Sequence, residues 1–209
     1  ITRKDVTLTS ITASNKAYDG SDAASIASGV VAGTVGTETL SVSGAGLGSF
    51  SDKNAANGKT VTVADVSALT RVNGANGGDW SNYQLTTSGP MTTQANITRK
   101  DVSLSSITAD NKVYDGINTA TITSGVISTG VGSETLAISG QGTFSDANAA
   151  DNKVVTVAQT STLTQTDGSG SWSNYRLTTA GPITTTANIT RKNVSLSSIT
   201  AAHKVYNGS

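Results

Sequence analysis

Thr92-Thr-Gln-Ala-Asn-Ile97-Thr-Arg-Lys-Asp-Val102-Ser-Leu-Ser-Ser-Ile-Thr108 is the stretch on which the fold turns. Its apolar residues change phase twice. Ile97 is out of step with Val102 and Leu104 across Arg99-Lys-Asp101, and these are out of step with Ile107 across Ser105-Ser106. Side chains alternate faces along a strand, so each change of phase marks a bend or a bulge. No Pro or Gly lies between Thr92 and Thr108. The stretch therefore reads as the closing strand of one domain running almost directly into the opening strand of the next, a stiff connection.

Working outward, the same words recur. Ile1-Thr-Arg-Lys-Asp-Val6 returns at Ile97 and again at Ile189, spaced by 96 and 92 residues (97 − 1 and 189 − 97). Asn15-Lys-Ala-Tyr-Asp-Gly20 returns as Asn111-Lys-Val-Tyr-Asp-Gly116 and His203-Lys-Val-Tyr-Asn-Gly208. Phe50-Ser-Asp-Lys-Asn-Ala-Ala56 matches Phe144-Ser-Asp-Ala-Asn-Ala-Ala150, and Trp80-Ser-Asn-Tyr-Gln-Leu85 matches Trp172-Ser-Asn-Tyr-Arg-Leu177. The period is too long for a solenoid coil and suits a small domain. The expected division is a first repeat over 1–96, a second over 97–188, and the incomplete start of a third over 189–209. The second repeat is shorter by two residues near Leu47-Gly48 and by two more within Arg71–Asp79. Length changes gather in surface turns, which predicts loops at both places.

Short alternating runs predict strands at Val6–Leu8, Leu40–Val42, Val61–Val63 and Tyr83–Leu85, with partners at Val102, Leu136, Val155 and Tyr175. No window carries helical periodicity; one helical turn at most fits Asn54–Gly58 or Asn148–Asn152. The fold class expected is all-β: tandem small β-sandwich domains of the immunoglobulin-like kind, end to end. A β-grasp-like layout is the alternative, and it needs a helix that the pattern lacks.

Composition narrows the function. The chain has 209 residues, 14 Lys+Arg against 14 Asp+Glu, 22 Gly, one His and no Cys. A neutral chain offers no electrostatic footprint for nucleic acid. Without Cys there is no disulfide scaffold or thiolate chemistry. No apolar run approaches the roughly 20 residues of a membrane-spanning helix. His203 is the one imidazole, and its counterparts are Asn15 and Asn111, which argues against His-based catalysis or metal binding. No catalytic, cofactor or metal residues are expected.

Two sets of residues invite a specific reading. Glu38 and Glu134 are the only two Glu, one per repeat. Together with Lys16 and Asn82, and with Lys112 and Asn174, they match the chain order of an isopeptide trio. In such a trio a desolvated Lys attacks an Asn amide while a protonated carboxyl relays protons. The plainer reading is an exposed Lys, an exposed Glu and a turn Asn, with the β ladder alone stabilising each repeat. Trp80 and Trp172 are either ligand contacts, stacking on a sugar, or core and corner packing. The Tyr-Asp-Gly motif is read as a buried Tyr followed by a tight turn.

Taken together, Asn111–Gly116, Phe144–Ala150, Ser173–Leu177 and Ala187–Lys192 resemble the YDG-type repeats of bacterial surface exoproteins, found in filamentous-haemagglutinin-like adhesins exported by two-partner secretion. Departures are Asn207 for Asp in the last motif, and Arg-Lys where such repeats often have Pro-Lys. The resemblance implies a non-enzymatic stalk or spacer outside the cell, on the bacterial surface. Its partners would be other repeats of the same long chain. The alternative is an adhesive module that contacts a host or surface glycan or matrix protein through exposed aromatic and loop residues.

Overall fold

A computed structural model describes residues 1–208, of which strand is the dominant state, 52% of the chain. The first repeat contributes β1 (Lys4–Ala13), β2 (Lys16–Ala17), β3 (Ala23–Ala32), β4 (Leu40–Phe50), β5 (Ala56–Val63), β6 (Thr70–Asn73), β7 (Tyr83–Leu85) and β8 (Met91–Thr98). Then follow β9 (Lys100–Val102), β10 (Leu104–Ala109), β11 (Lys112–Val113), β12 (Thr119–Ile127), β13 (Leu136–Phe144), β14 (Ala150–Val157), β15 (Thr164–Asp167), β16 (Tyr175–Leu177) and β17 (Ile183–Thr190). Among the described residues there is no α-helix, so the helix of a β-grasp layout is missing. The stretches at Asn54–Gly58 and Asn148–Asn152 hold no helical turn. Instead, 3-10 turns sit at Val66–Ala68 and Trp80–Asn82 in the first repeat and at Thr160–Thr162 and Trp172–Asn174 in the second. Asp65, Asp79 and Ser171 cap three of them by accepting from the backbone N–H two residues on.

The first sheet runs β2-β8-β5-β4-β3-β1-β7, with β6 also on β4. The second runs β10-β12-β13-β14-β17-β11, with β15 on β13, and β16 pairs with β9. Most neighbours are antiparallel, but β1–β7, β2–β8, β11–β17 and β9–β16 are parallel. The alternation read from the sequence is seen in burial: along β5, Lys59, Val61 and Val63 point inward, and along β14, Lys153, Val155 and Val157 do. Each such aliphatic side chain contributes about 1.5–3 kcal/mol when withdrawn from water.

Two compact units result. One comprises Ile1–Ser105, Val126–Ala137 and Gln165–Thr179; the other comprises Ser106–Gly125, Ile138–Thr164 and the chain from Ala180. The division does not follow the repeat period. Three segments of the second repeat, 97–105, 126–137 and 165–179, belong to the unit built on the first.

The junction is as short as the phase changes suggest: Arg99 alone separates β8 from β9, and Ser103 alone separates β9 from β10. The matching change of phase in β1 is a bulge between Leu8 and Ser10. One expected loop is not a loop. The two residues inserted near Leu47-Gly48 stay inside β4, where Ile26 pairs with Gly44 but Ala24 pairs with Gly48. In the shorter β13, Ala120 pairs with Gly142 and Ile122 with Gly140, without a slip. The insertion bulges out of the ladder because Gly46 takes φ +69, a left-handed angle that costs a glycine little.

Candidate functional site

The Asn-Lys-x-Tyr-Asp-Gly motif is a loop stapled by its own lysine. Lys16, in β2, turns its ammonium onto Asp19 Oδ1 (2.8 Å) and the Ser21 carbonyl (2.8 Å), with Phe50 beneath it at 5.7 Å. Asp19 Oδ1 also accepts from Ser21 N–H. Burial raises the Asp19 pKa, but the Lys16 hydrogen bond and the Ser21 N–H outweigh it and leave it low. Lys112 repeats the arrangement on Asp115, the Ile117 and Thr119 carbonyls and the Phe144 ring. The Asn that opens each motif ties it to the closing strand: Asn15 Oδ1 accepts from Asn96 N–H and Asn111 Oδ1 from Asn188 N–H, both at 2.7 Å. The motif thus closes the repeat and leaves its Tyr at the end of the loop.

What that Tyr reaches is the main feature of the first unit. Tyr18 donates to Glu134 Oε1 at 2.7 Å, and Tyr175 donates to Glu134 Oε2 at 2.6 Å. The two rings meet edge to face, centroids 5.4 Å apart at 78°. Asn174 completes the contact: its Oδ1 accepts from Ala55 N–H (2.8 Å) and its Nδ2 donates to Asn54 Oδ1 (3.2 Å). Lys53 Nζ stands 4.0 Å from Glu134 Oε1. Val131 lies beneath Gly20, so close that a Cβ there would come within 2.7 Å of Val131 Cγ1. Parallel pairing of β9 with β16 and the exposed Arg176–Asp101 pair (2.7 and 2.8 Å) flank the site.

The electrostatics follow from this geometry. Burial, and then the Glu134 carboxylate, push the Tyr18 hydroxyl up to about 12, and they push Tyr175 up as well. Burial would raise Glu134, but the hydroxyls of Tyr175 and Tyr18, with Lys53 behind them, hold it below its ordinary value. The carboxylate stays charged and accepts from both phenols. The arrangement holds the two rings and the carboxylate together.

The residues singled out in the sequence are placed as follows. No hydrogen bond or ion pair joins Lys16 to Glu38 or Asn82: the ammonium is spent on its own loop, as is that of Lys112. Glu38 instead accepts the Tyr83 hydroxyl through Oε2, while Tyr83 Oη accepts from Val35 N–H. Glu134 and Asn174 are brought together, but around Tyr18, a residue no local pattern links to them. Trp80 and Trp172 are buried, as core or corner packing requires. The Trp80 indole N–H donates to the Ser41 and Val72 carbonyls, and that of Trp172 to Ala137 and Thr166, all at 3.1 Å. Among the described residues no three His, Cys, Asp or Glu gather as a cation site.

The partner of Glu134 escaped the sequence reading because Tyr18 lies 116 residues away. Two signals pointed toward it: a single Glu per repeat, and a Tyr whose aromatic body needs a place to be buried.

No curated protein and no solved structure matches the chain. The family model described as YDG domain matches twice, over residues 2–92 and 98–184, which take in both lysine-stapled loops and both Trp-Ser-Asn-Tyr turns. The chain belongs to the YDG domain family and carries two tandem copies of its domain.

Proposed function

We propose that this chain is a structural, non-enzymatic stretch of a bacterial cell-surface adhesin of the filamentous-haemagglutinin-like kind, exported by two-partner secretion. In this reading the repeats over 1–96 and 97–188 are small immunoglobulin-like sandwiches that hold a distal binding region away from the cell. The observation that carries it is the contact at the junction: Tyr18 seated on Glu134 and Tyr175, with Arg99 alone between β8 and β9. A spacer under load needs such a joint in place of a free linker. The burial of both Trp side chains, whose N–H groups go to backbone carbonyls, favours this reading over a glycan- or matrix-binding module that would stack a sugar on them.

Small-angle scattering tests the reading. A stalk gives an elongated particle, with each domain contributing roughly 30–40 Å for strands of about ten residues. A compact particle with one shared core rules it out.

A further inference from the structure

Asn followed by Gly is the sequence at which a chain most readily attacks its own side chain, because Gly has no Cβ to shield its backbone nitrogen and lets the backbone turn toward the amide. Such pairs stand at 57–58, 73–74, 76–77 and 207–208. The last belongs to the incomplete third repeat and is left aside. In the other three the Gly nitrogen meets different surroundings. Gly58 N–H donates to Asn96 Oδ1 at 2.7 Å, and Gly74 N–H donates to the Gly78 carbonyl at 3.1 Å. Asn73 is tied as well, its Oδ1 accepting from Trp80 N–H at 2.9 Å. Gly77 N–H has no hydrogen-bond partner among the described residues.

The free N–H follows from the turn. Gly78 N–H donates to the Ala75 carbonyl at 3.2 Å, so Asn76 and Gly77 are the two central residues of a β-turn. Their φ values of +58 and +86 make it the mirror-image kind, which Asn and Gly favour. Both residues are exposed. The Asn76 side chain is held at the loop by Nδ2, which donates to the Thr37 carbonyl at 2.9 Å. This exposure does not depend on whether the seat beside the loop is filled. The counterpart loop is exposed over Asp167–Ser169, although Glu134 beside it holds Tyr18. That counterpart is two residues shorter and carries no Asn.

We propose that Asn76-Gly77 is a self-modification site, at which the folded chain converts Asn76 to aspartate and isoaspartate with no enzyme. The Gly77 nitrogen gives its proton to hydroxide and bonds to Asn76 Cγ. The Cγ–Nδ2 bond breaks, and Nδ2 leaves as ammonia after taking a proton from water. Water then opens the five-membered imide at one of its two carbonyls. Opening at the side-chain carbonyl gives aspartate. Opening at the backbone carbonyl gives isoaspartate, in which the main chain runs through the former side chain. Overall one water enters and one ammonia leaves. Gly58 and Gly74 must first give up a hydrogen bond to lose the same proton, which slows the step by about two- to tenfold. In the aspartate product a carboxylate oxygen stands where Nδ2 donated to the Thr37 carbonyl, so that hydrogen bond is lost, and a chain of zero net charge gains one negative charge. The inference goes beyond the stalk reading and does not need it.

The test ages the 209-residue chain at mildly alkaline pH, folded in buffer and unfolded in guanidinium, with samples taken over time. Proteolysis in acid, which halts the reaction, is followed by fragment mass spectrometry. It reads the replacement of NH2 by OH at each Asn and separates aspartate from isoaspartate. In the folded chain Asn76 converts faster than Asn57 and Asn73 by at least about twofold, with both products present. In guanidinium that lead disappears. Conversion of Asn76 no faster than that of Asn57 and Asn73 in the folded chain overturns the proposal. So does a lead that persists in guanidinium, because the order then belongs to the sequence and not to the turn. Aspartate without isoaspartate overturns the ring closure, since direct hydrolysis of the side-chain amide yields aspartate alone.

Discussion

The seat around Glu134 and the seat around Glu38 are built from the same residue types, yet one is filled and the other open. Glu134 holds two phenols, and Asn174 is buried against Asn54 and Ala55; Glu38 holds one phenol, and Asn82 faces solvent. The difference teaches that the seat is preformed by its own repeat. In both places the Tyr that follows the Trp-Ser-Asn turn reaches its Glu without help from any other repeat. What the neighbour adds is one phenol, the closure of an apolar contact and the burial of an Asn.

The largest expected effect separates Tyr18 from its counterpart Tyr114, which is 41% exposed. Tyr18→Ala removes a buried aromatic and should cost about 3 kcal/mol in urea unfolding, the low end for large-to-Ala core substitutions. Tyr114→Ala should stay within about 0.5 kcal/mol, as exposed substitutions do. Equal losses would break the comparison.

The acceptors should divide the same way. Glu134→Gln leaves two phenols facing one carbonyl oxygen and an amide that cannot accept from the second. A cost of about 1–2 kcal/mol is expected, the range for a buried polar group left without its partner. Glu38→Gln, facing one phenol, should cost less than half as much in the same unfolding measurement.

The glycines give a finer test. Ala at either Gly116 or Gly20 is strained by the left-handed backbone, by about 1–2 kcal/mol. Gly20→Ala carries an added clash with Val131 and should cost more by about 1 kcal/mol, read as a larger drop in midpoint.

The smallest effect is in pH. Glu134 is held below its ordinary value of 4.5, so its contribution is present above that value and fades as pH falls through the lowered one. Tyr18 is raised from 10.0 to about 12, so its contribution is complete below pH 10 and is lost as pH climbs toward 12. Stability measured against pH should therefore be flat between the two limits and fall at both ends. Glu134→Gln should shrink the acid limb, the rest of which belongs to lowered aspartates such as Asp19.

Much of the fold was legible in the chain because its signals are local. Alternation at Val61–Val63 marked β5, the change of phase across Arg99-Lys-Asp101 marked the break at Arg99, the one at Ser105-Ser106 has its match in the β1 bulge between Leu8 and Ser10, and the recurring words marked the two tandem copies. Near Leu47-Gly48 a local signal misled. A length change usually means a loop, but Gly46 lets the extra residues bulge within a continuous strand. The Lys, Glu and Asn that recur in chain order were legible as residues and not as a cluster, since order along the chain says nothing about which side chains converge. Lys16 finds carbonyl and carboxylate oxygens within five residues of itself, and a short loop closes at far less entropic cost than a long one.

By itself, then, the sequence determined the all-β class, the tandem period and the Tyr-Asp-Gly turns, each of which rests on alternation or on turn chemistry within a few residues. Tertiary structure alone decided that Tyr18 belongs to Glu134 and Tyr175, that both Trp side chains spend their N–H groups on backbone carbonyls, and that one Glu seat is filled while its twin is open. A hydrogen bond across 116 residues has no periodicity to betray it. It is selected by which surfaces remain unburied once each repeat has folded, and that is a property of assembled sheets, not of any segment.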